Sequence, residues 1–335
     1  MTLPTYCYVD PSIAGNSGTG TIGDPYGDLQ YALDTETQDT TNGNQFNIKA
    51  GTAEVLAAVL GFATFGTPNF AYGCIFKGYT SVANDGGLFE IDANGGACLT
   101  ATNGCAFIDG EIHNGGTTGL LTFGSDGYMQ NVEVHDTANT AITSTSRNVN
   151  IVGCYIHDIG GIGVKTAYSV RNCYFANGAK SFTVAIDLDI NSLEVVGNII
   201  SISGDSDGID ITSRLNSRVI GNSVLSSGGT GAGIVGSSTT MQCIVMNNLV
   251  EGFSGTLGAG IYLVDGRINA TCQNNAMYNN TTNLTIGDEW CVVPTDNESL
   301  GASPFAKSGA DTFANRFVYF APVDTGNVHG GAYVG

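Results

Sequence analysis

Val195-Val196-Gly197-Asn198-Ile199-Ile200-Ser201, followed after a polar corner by Asp207-Gly208-Ile209-Asp210-Ile211-Thr212, is the stretch whose reading decides the fold. Apolar residues alternate on either side of the corner, at the period of two that a half-buried strand requires. Related copies of its first half begin at Asp109, Asn131, Gly153, Asn172, Gly221, Asn247 and Asn274, with 19 to 27 residues between successive starts. Spacing that loose does not suit a helical-repeat array. It suits coils whose strands are constant and whose loops vary.

Each copy carries a second short alternating segment further on. These read Ala141-Ile142-Thr143, Gly161-Ile162-Gly163-Val164, Ala185-Ile186-Asp187-Leu188, Gly208-Ile209-Asp210-Ile211, Gly233-Ile234-Val235, Gly260-Ile261-Tyr262-Leu263 and Asn283-Leu284-Thr285-Ile286. β-Branched residues fill the segments, and Gly, Asn, Ser and Asp fill the joints, as strands and turns demand. The expected fold is all-β: a single-stranded, right-handed parallel β-helix of about ten coils, with a short N-terminal helix as cap. Equivalent residues then stack into columns. Asn198, Asn222, Asn248 and Asn275 form one, able to hydrogen-bond coil to coil and to tolerate left-handed backbone at the corner. Cys154 and Cys173 continue that column as small buried thiols.

A chain of 335 residues would ordinarily suggest two domains, but a solenoid core grows in one direction and escapes that rule. Its 48 glycines and few charges fit the coil reading. With 11 basic against 30 acidic residues the net charge is −19, which disfavours nucleic acid and anionic membranes as partners. A polyanionic substrate would need a bridging cation. No apolar run is long enough to span a bilayer. The opening Met1-Thr2-Leu3-Pro4-Thr5-Tyr6 lacks a basic-then-apolar export signal, as would a phage product released by lysis or a trimmed secreted chain. The nine cysteines, an odd number, include no metal-type CxxC pair and read as buried thiols.

In chain order, residues 1–70 read as an N-terminal cap with the first strands, 71–290 as the β-helix, and 291–335 as a segment packing on or capping it. Asp28 is an N-cap for a helix that buries Leu29, Ala32 and Leu33. Phe46 to Gly51 reads as a strand, and Ala53 to Leu60 is open between strand and helix.

Tyr8-Val9-Asp10-Pro11, a Gly-rich loop, Pro25-Tyr26-Gly27-Asp28-Leu29-Gln30-Tyr31-Ala32-Leu33, and Cys74 to Thr80 followed by Asp85-Gly86-Gly87 resemble the opening of right-handed β-helix proteins of the pectate-lyase-like superfamily. That group includes polysaccharide lyases, polygalacturonases and phage tailspikes. The ending Asp324 to Val328 with Gly330 to Tyr333 is similar to terminal segments of phage-like and environmental β-helix proteins. The resemblance implies the fold, and it implies contact with polysaccharide.

Three constellations carry chemistry. Aligning the second segments by their Gly-Ile or Ala-Ile pair places Gly163, Asp187, Asp210 and Val235 in one outward column, and Lys165, Asp189, Thr212 and Ser237 in the next. Asp205 and Asp207 enter the same strand from its turn. Like charges at one coil spacing push one carboxyl up and separate acid from base. Asp187, Asp189 and Asp210 also make an oxygen-rich site for calcium. The segment Ser206 to Ile211 resembles the Asn-Thr-Asp-Gly-Ile-Asp-Ile motif of polygalacturonases, which implies that Asp207 is a catalytic aspartate. However, no Gly-His-Gly follows, and Gly266-Arg267-Ile268-Asn269 only partly matches the family's Arg-Ile-Lys. Second, His113, His135 and His157 share one repeat position, each followed by Asn114, Asp136 or Asp158; they could bind a metal, serve as a base, or simply pack at a capped corner. Third, Lys165, with Arg214 and Arg218 on a following turn, could supply the base and cation of a β-elimination.

The functional expectation is an extracellular or virion-associated protein that interacts with polysaccharide. If it is an enzyme, it is a lyase or glycoside hydrolase using Asp187, Asp189, Asp207, Asp210 and Lys165. The alternative is a non-catalytic phage structural or receptor-binding protein, homotrimeric if tailspike-like, or an adhesin.

Overall fold

A computed structural model of the chain describes residues 3–63, 65–66, 68, 73–145, 148–188, 193–211, 215–237, 242–264, 269–286, 297–300, 305–307 and 320–322. The chain divides into two compact units, Met1–Cys154 and Tyr155–Gly335. Both are parallel β-solenoids, and the single helix among the described residues is Leu29–Thr35.

In the first unit, Thr5–Val9, Asn44–Lys49, Cys74–Tyr79, Cys105–His113 and Tyr128–Thr137 pair in parallel, each with the next. Alternation puts every second side chain inside. Phe46, Phe76 and Phe107 therefore stack, with ring centroids 5.8 and 4.9 Å apart. The helix begins where expected: Asp28 accepts the Tyr31 N–H at 2.6 Å, and Leu29, Ala32 and Leu33 are fully buried. Its first free N–H, on Leu29, is met by the buried Glu54 carboxylate at 3.1 Å. The ambiguous run after Ala53 forms only the short strand Glu54–Val55.

The second unit builds each coil from three strands. One series is Ser169–Arg171, Glu194–Val196, Leu215–Ile220, Gln242–Met246 and Asn269–Gln273. A second is Tyr174–Ala176, Ile199–Ile202, Ser223–Ser226, Leu249–Glu251 and Ala276–Tyr278. The third runs from Ile162–Lys165 to Thr282–Ile286. The described coils are fewer than the ten expected. A full coil needs a strand of the third kind, and among the described residues these begin only at Leu99.

The asparagine column is present and buried. Asn198 donates through Nδ2 to Asn222 Oδ1 at 3.0 Å, Asn222 to Asn248 at 3.0 Å, Asn248 to Asn275 at 2.9 Å, and Asn275 to Asn297 at 2.8 Å. Each amide also donates to a backbone carbonyl, at Val170, Val195, Val219 and Val245 in turn. The left-handed residue is the one before each: Gly197, Gly221, Asn247 and Asn274 have φ of 67, 66, 57 and 52°. The repeat's Gly-or-Asn choice thus answers a backbone need, and the Asn that follows answers a hydrogen-bonding one. Cys154 and Cys173 are both buried. Cys291 lies outside the described residues.

Candidate functional site

The third strand series of the second unit presents one outward column. Ile186, Ile209, Ile234 and Ile261 are fully buried, so the residue after each points away from the core. The register then aligns Lys165 with Asp187, Asp187 with Asp210, Asp210 with Val235, Val235 with Tyr262 and Tyr262 with Thr285. The adjacency of Asp187 and Asp210 is as the alternation predicts. The placement of Lys165 is not: it stands opposite Asp187, where Gly163 was expected. Ile162 aligns with Val184 and Val164 with Ile186, one alternation step from the Gly-Ile alignment. Period two determines which face a residue occupies but leaves equivalent positions on that face interchangeable. Gly163 is buried instead, and a Cβ there would meet Phe182 and Phe175.

Lys165 Nζ lies 3.9 Å from Asp187 Oδ2, at half-buried positions where such a pair contributes little. Asp205 and Asp207 hold the next coil's loop. Asp205 accepts the Thr230 N–H and hydroxyl, both at 2.9 Å, and Asp207 accepts the Ala232 N–H at 2.7 Å. Burial raises the Asp207 carboxyl above its ordinary value, the Ala232 N–H pulls it down, and the Asp210 charge adds to the rise. Tyr262, 37% exposed, extends the column with an aromatic face. Asp189, Thr212, Arg214 and residues 265–268 lie outside the described residues. Arg218 is on a strand rather than a turn; its Nη1 donates to Glu194 at 2.9 Å, and Arg171 also bonds that carboxylate.

The first unit carries a different outward surface. Phe89–Asp92, Cys105–His113 and Tyr128–Thr137 align Glu90 with Glu111, Glu111 with Glu133, and Asp92 with His113. Each glutamate stands two residues from a residue of the histidine column, so period two places both on the same face. The His113 and His135 rings stack 5.1 Å apart, 8° from parallel. Glu111 Oε1 lies 2.9 Å from His135 Nε2 and 3.9 Å from His113 Nε2, while Glu90 Oε1 is 3.2 Å from His113 Nε2. Burial lowers the His135 imidazole, but the Glu111 hydrogen bond and charge, with Glu133 and Asp136, outweigh it and hold the ring above its ordinary value. In the second unit His157 stacks on Tyr155 at 4.3 Å and pairs with Asp158 at 2.7 Å. Asp158 accepts N–H groups of Ala179 and Lys180, so it caps a turn as the corner reading expects. Asn114, Asp136 and Asp158 all have φ between 53 and 59°.

Among the described residues, the side chains that gather three metal-capable atoms include Glu111, His113 and His135, with ligand atoms within 4.8 Å of one another. Asp187 and Asp210 belong to no such group among the described residues, which do not include Asp189. The glutamates were missed from sequence, although the Glu-x-His spacing, repeated at Glu111-Ile112-His113 and Glu133-Val134-His135, carries the signal.

No curated protein matches the chain in sequence. Solved structures of similar fold include the GH136 lacto-N-biosidase from Eubacterium ramulus, at 12% identity and TM-score 0.44, with 88% of this chain and 67% of that one covered. Pectate lyase Pel9A aligns at 14% identity and TM-score 0.46, covering 91% and 83%. A rhamnogalacturonan lyase aligns at 12% and 0.47, covering 99% and 100%. Likeness at this level bears on neither substrate nor chemistry. No described helix is long and apolar enough to cross a membrane. The family model "Periplasmic copper-binding protein (NosD)" matches residues 99–302, well over half of the chain, and with its parallel coils this chain belongs to the NosD family.

Proposed function

We propose that the protein binds a polysaccharide along the outward column of its second unit. The observation that carries this reading is the in-register run Lys165, Asp187, Asp210, Val235, Tyr262. Successive members stand one coil apart, roughly 4.8 Å. An extended glycan likewise presents one ring after another along its length. The carboxylates accept hydrogen bonds from sugar hydroxyls, and the Tyr262 ring offers an apolar face with a hydroxyl at its edge. Such a partner goes with an extracellular or virion-associated setting.

Cleavage is the finer form of this reading. Asp207, raised by burial and by the Asp210 charge, retains a proton more readily than a free carboxyl, the condition for a general acid. Asp210 and Asp187 would then be the ionised partners and Lys165 the nearest base. Calcium held by Asp187 and Asp210, with Asp189, would bridge to an anionic sugar and relieve the carboxylate repulsion. A specific observation favours the non-catalytic form, a receptor-binding protein or adhesin: Asp207 is engaged with the Ala232 N–H of the next coil, so it already has structural work.

The test is a panel of neutral and acidic glycans, read for binding and for new reducing or unsaturated ends, with and without calcium. Binding that falls on Tyr262→Ala and on Asp210→Asn supports the reading. New ends lost on Asp210→Asn support cleavage, and binding without new ends selects the non-catalytic form. Binding unchanged in both variants, or absent across the panel, overturns the assignment of this column.

A further inference from the structure

The family description names copper, and the first unit offers a donor set that suits it. Imidazole nitrogen with carboxylate oxygen is a ligand combination for Cu(II), Zn(II) and Ni(II) rather than for calcium or magnesium, which take oxygen alone. The chain has only 4 histidines, and two of them stand side by side here with a carboxylate between their Nε2 atoms.

We infer that Glu111, His113 and His135 form a binding site for one divalent transition-metal ion, with two Nε2 atoms and one carboxylate oxygen as ligands. The three ligand atoms already lie within 4.8 Å of one another. Metal–nitrogen and metal–oxygen bonds of about 2.0–2.2 Å require them to close to roughly 4 Å or less. The required shift is a rotation of side chains that are only partly buried. The backbone beneath them does not move, because both strands are held in parallel register through Ile112 and Val134. Rigid strands under adaptable tips are a sound platform for a metal site. The surrounding residues are also in place. Asp136 Oδ2 lies 3.6 Å from His135 Nδ1, on the ring edge opposite the ligating nitrogen, where metal-bound histidines commonly meet a carboxylate. Glu90 Oε1, 3.2 Å from His113 Nε2, is positioned to join as a fourth ligand. The near-parallel rings do not point at one centre, so the site favours an ion that accepts a distorted arrangement. In the ordinary order of divalent affinities Cu(II) binds most tightly. This inference does not rest on the glycan reading, which concerns other residues of the other unit.

The experiment is titration of the metal-free protein with Cu(II) against a competing chelator, followed by electron paramagnetic resonance for nitrogen coupling. One ion per chain with two imidazole couplings is expected. His113→Gln and His135→Gln should each remove one coupling and weaken binding about tenfold or more, and Glu111→Gln should weaken it while keeping both couplings. His329→Gln should change nothing. Far-UV circular dichroism reports whether each variant folds. In the wild type, Cu(II) should protect His113 and His135 from diethylpyrocarbonate, mapped by mass spectrometry, so the test survives a variant that fails to fold. Two nitrogen couplings that persist in both histidine variants, no protection at these rings, or no copper bound against the chelator would overturn it.

Discussion

The second unit holds two columns made by the same repeat, one facing in and one facing out. Asn198, Asn222, Asn248 and Asn275 are buried, and every amide among them is hydrogen-bonded. Lys165, Asp187 and Asp210 stand at half-buried positions on the outer face, where Asp187 has the opposite charge of Lys165 on one side and the like charge of Asp210 on the other. The inward column is neutral and saturated: it ties coil to coil and has nothing left for a ligand. The outward column keeps partly exposed charges, and its Lys165–Asp187 pair contributes little to folding. Stacking alone therefore does not distinguish a structural column from a functional one. What separates them here is burial and charge.

The largest expected effect comes from breaking the inner column. Asn222→Ala removes the acceptor of the Asn198 amide and backbone N–H, and the donor to Val195 and Asn248. With those groups buried and unpaired the cost should be on the order of 3–4 kcal/mol by chemical denaturation. A loss below about 1 kcal/mol would erase the distinction between the columns.

A buried polar group outside any ladder should behave differently, and Glu54 is such a case. Burial pushes its carboxyl up to about 7, helped by the Asp28 charge and opposed by the Leu29 N–H. The native state then holds a proton that the unfolded chain releases near 4.5. Its contribution to stability is complete below about 4.5 and is lost as pH rises through about 7. The loss should be on the order of 2–3 kcal/mol. The pH profile of Glu54→Gln should be flatter than that of the wild type across this window, and identical profiles would contradict the assignment.

On the outer column the effects should be small. Asp210→Asn should leave circular dichroism unchanged and shift stability by less than about 0.5 kcal/mol, upward if at all, since one like-charge contact is removed. Lys165→Met should cost a few tenths of a kcal/mol at low salt, and the difference should vanish at high ionic strength. A cost comparable to Asn222→Ala at either position would mean that the outer column is structural too.

The asparagine column was legible because its spacing repeats with the strands, and a buried amide stacked on its own kind has one sensible set of partners. The outward Asp187–Asp210 adjacency was legible for the same reason. The Glu111–His135 contact was less so. Alternation places Glu and His on one face, yet which carboxylate meets which imidazole depends on side-chain reach across neighbouring strands, here 2.9 Å for one pair and 3.9 Å for the other.

By itself the sequence determined that the chain coils in parallel strands, which residues point inward, and that Asn198, Asn222, Asn248 and Asn275 stack. Period-two alternation and the residue types at the corners carry that information locally. The tertiary structure alone decided that Lys165 faces Asp187 rather than Asp189's position, and that Asp207 is bound to the next coil's Ala232. It alone set Glu111 between two imidazoles. Register between coils is set by loops of variable length, and a pattern of period two repeats identically at every second residue.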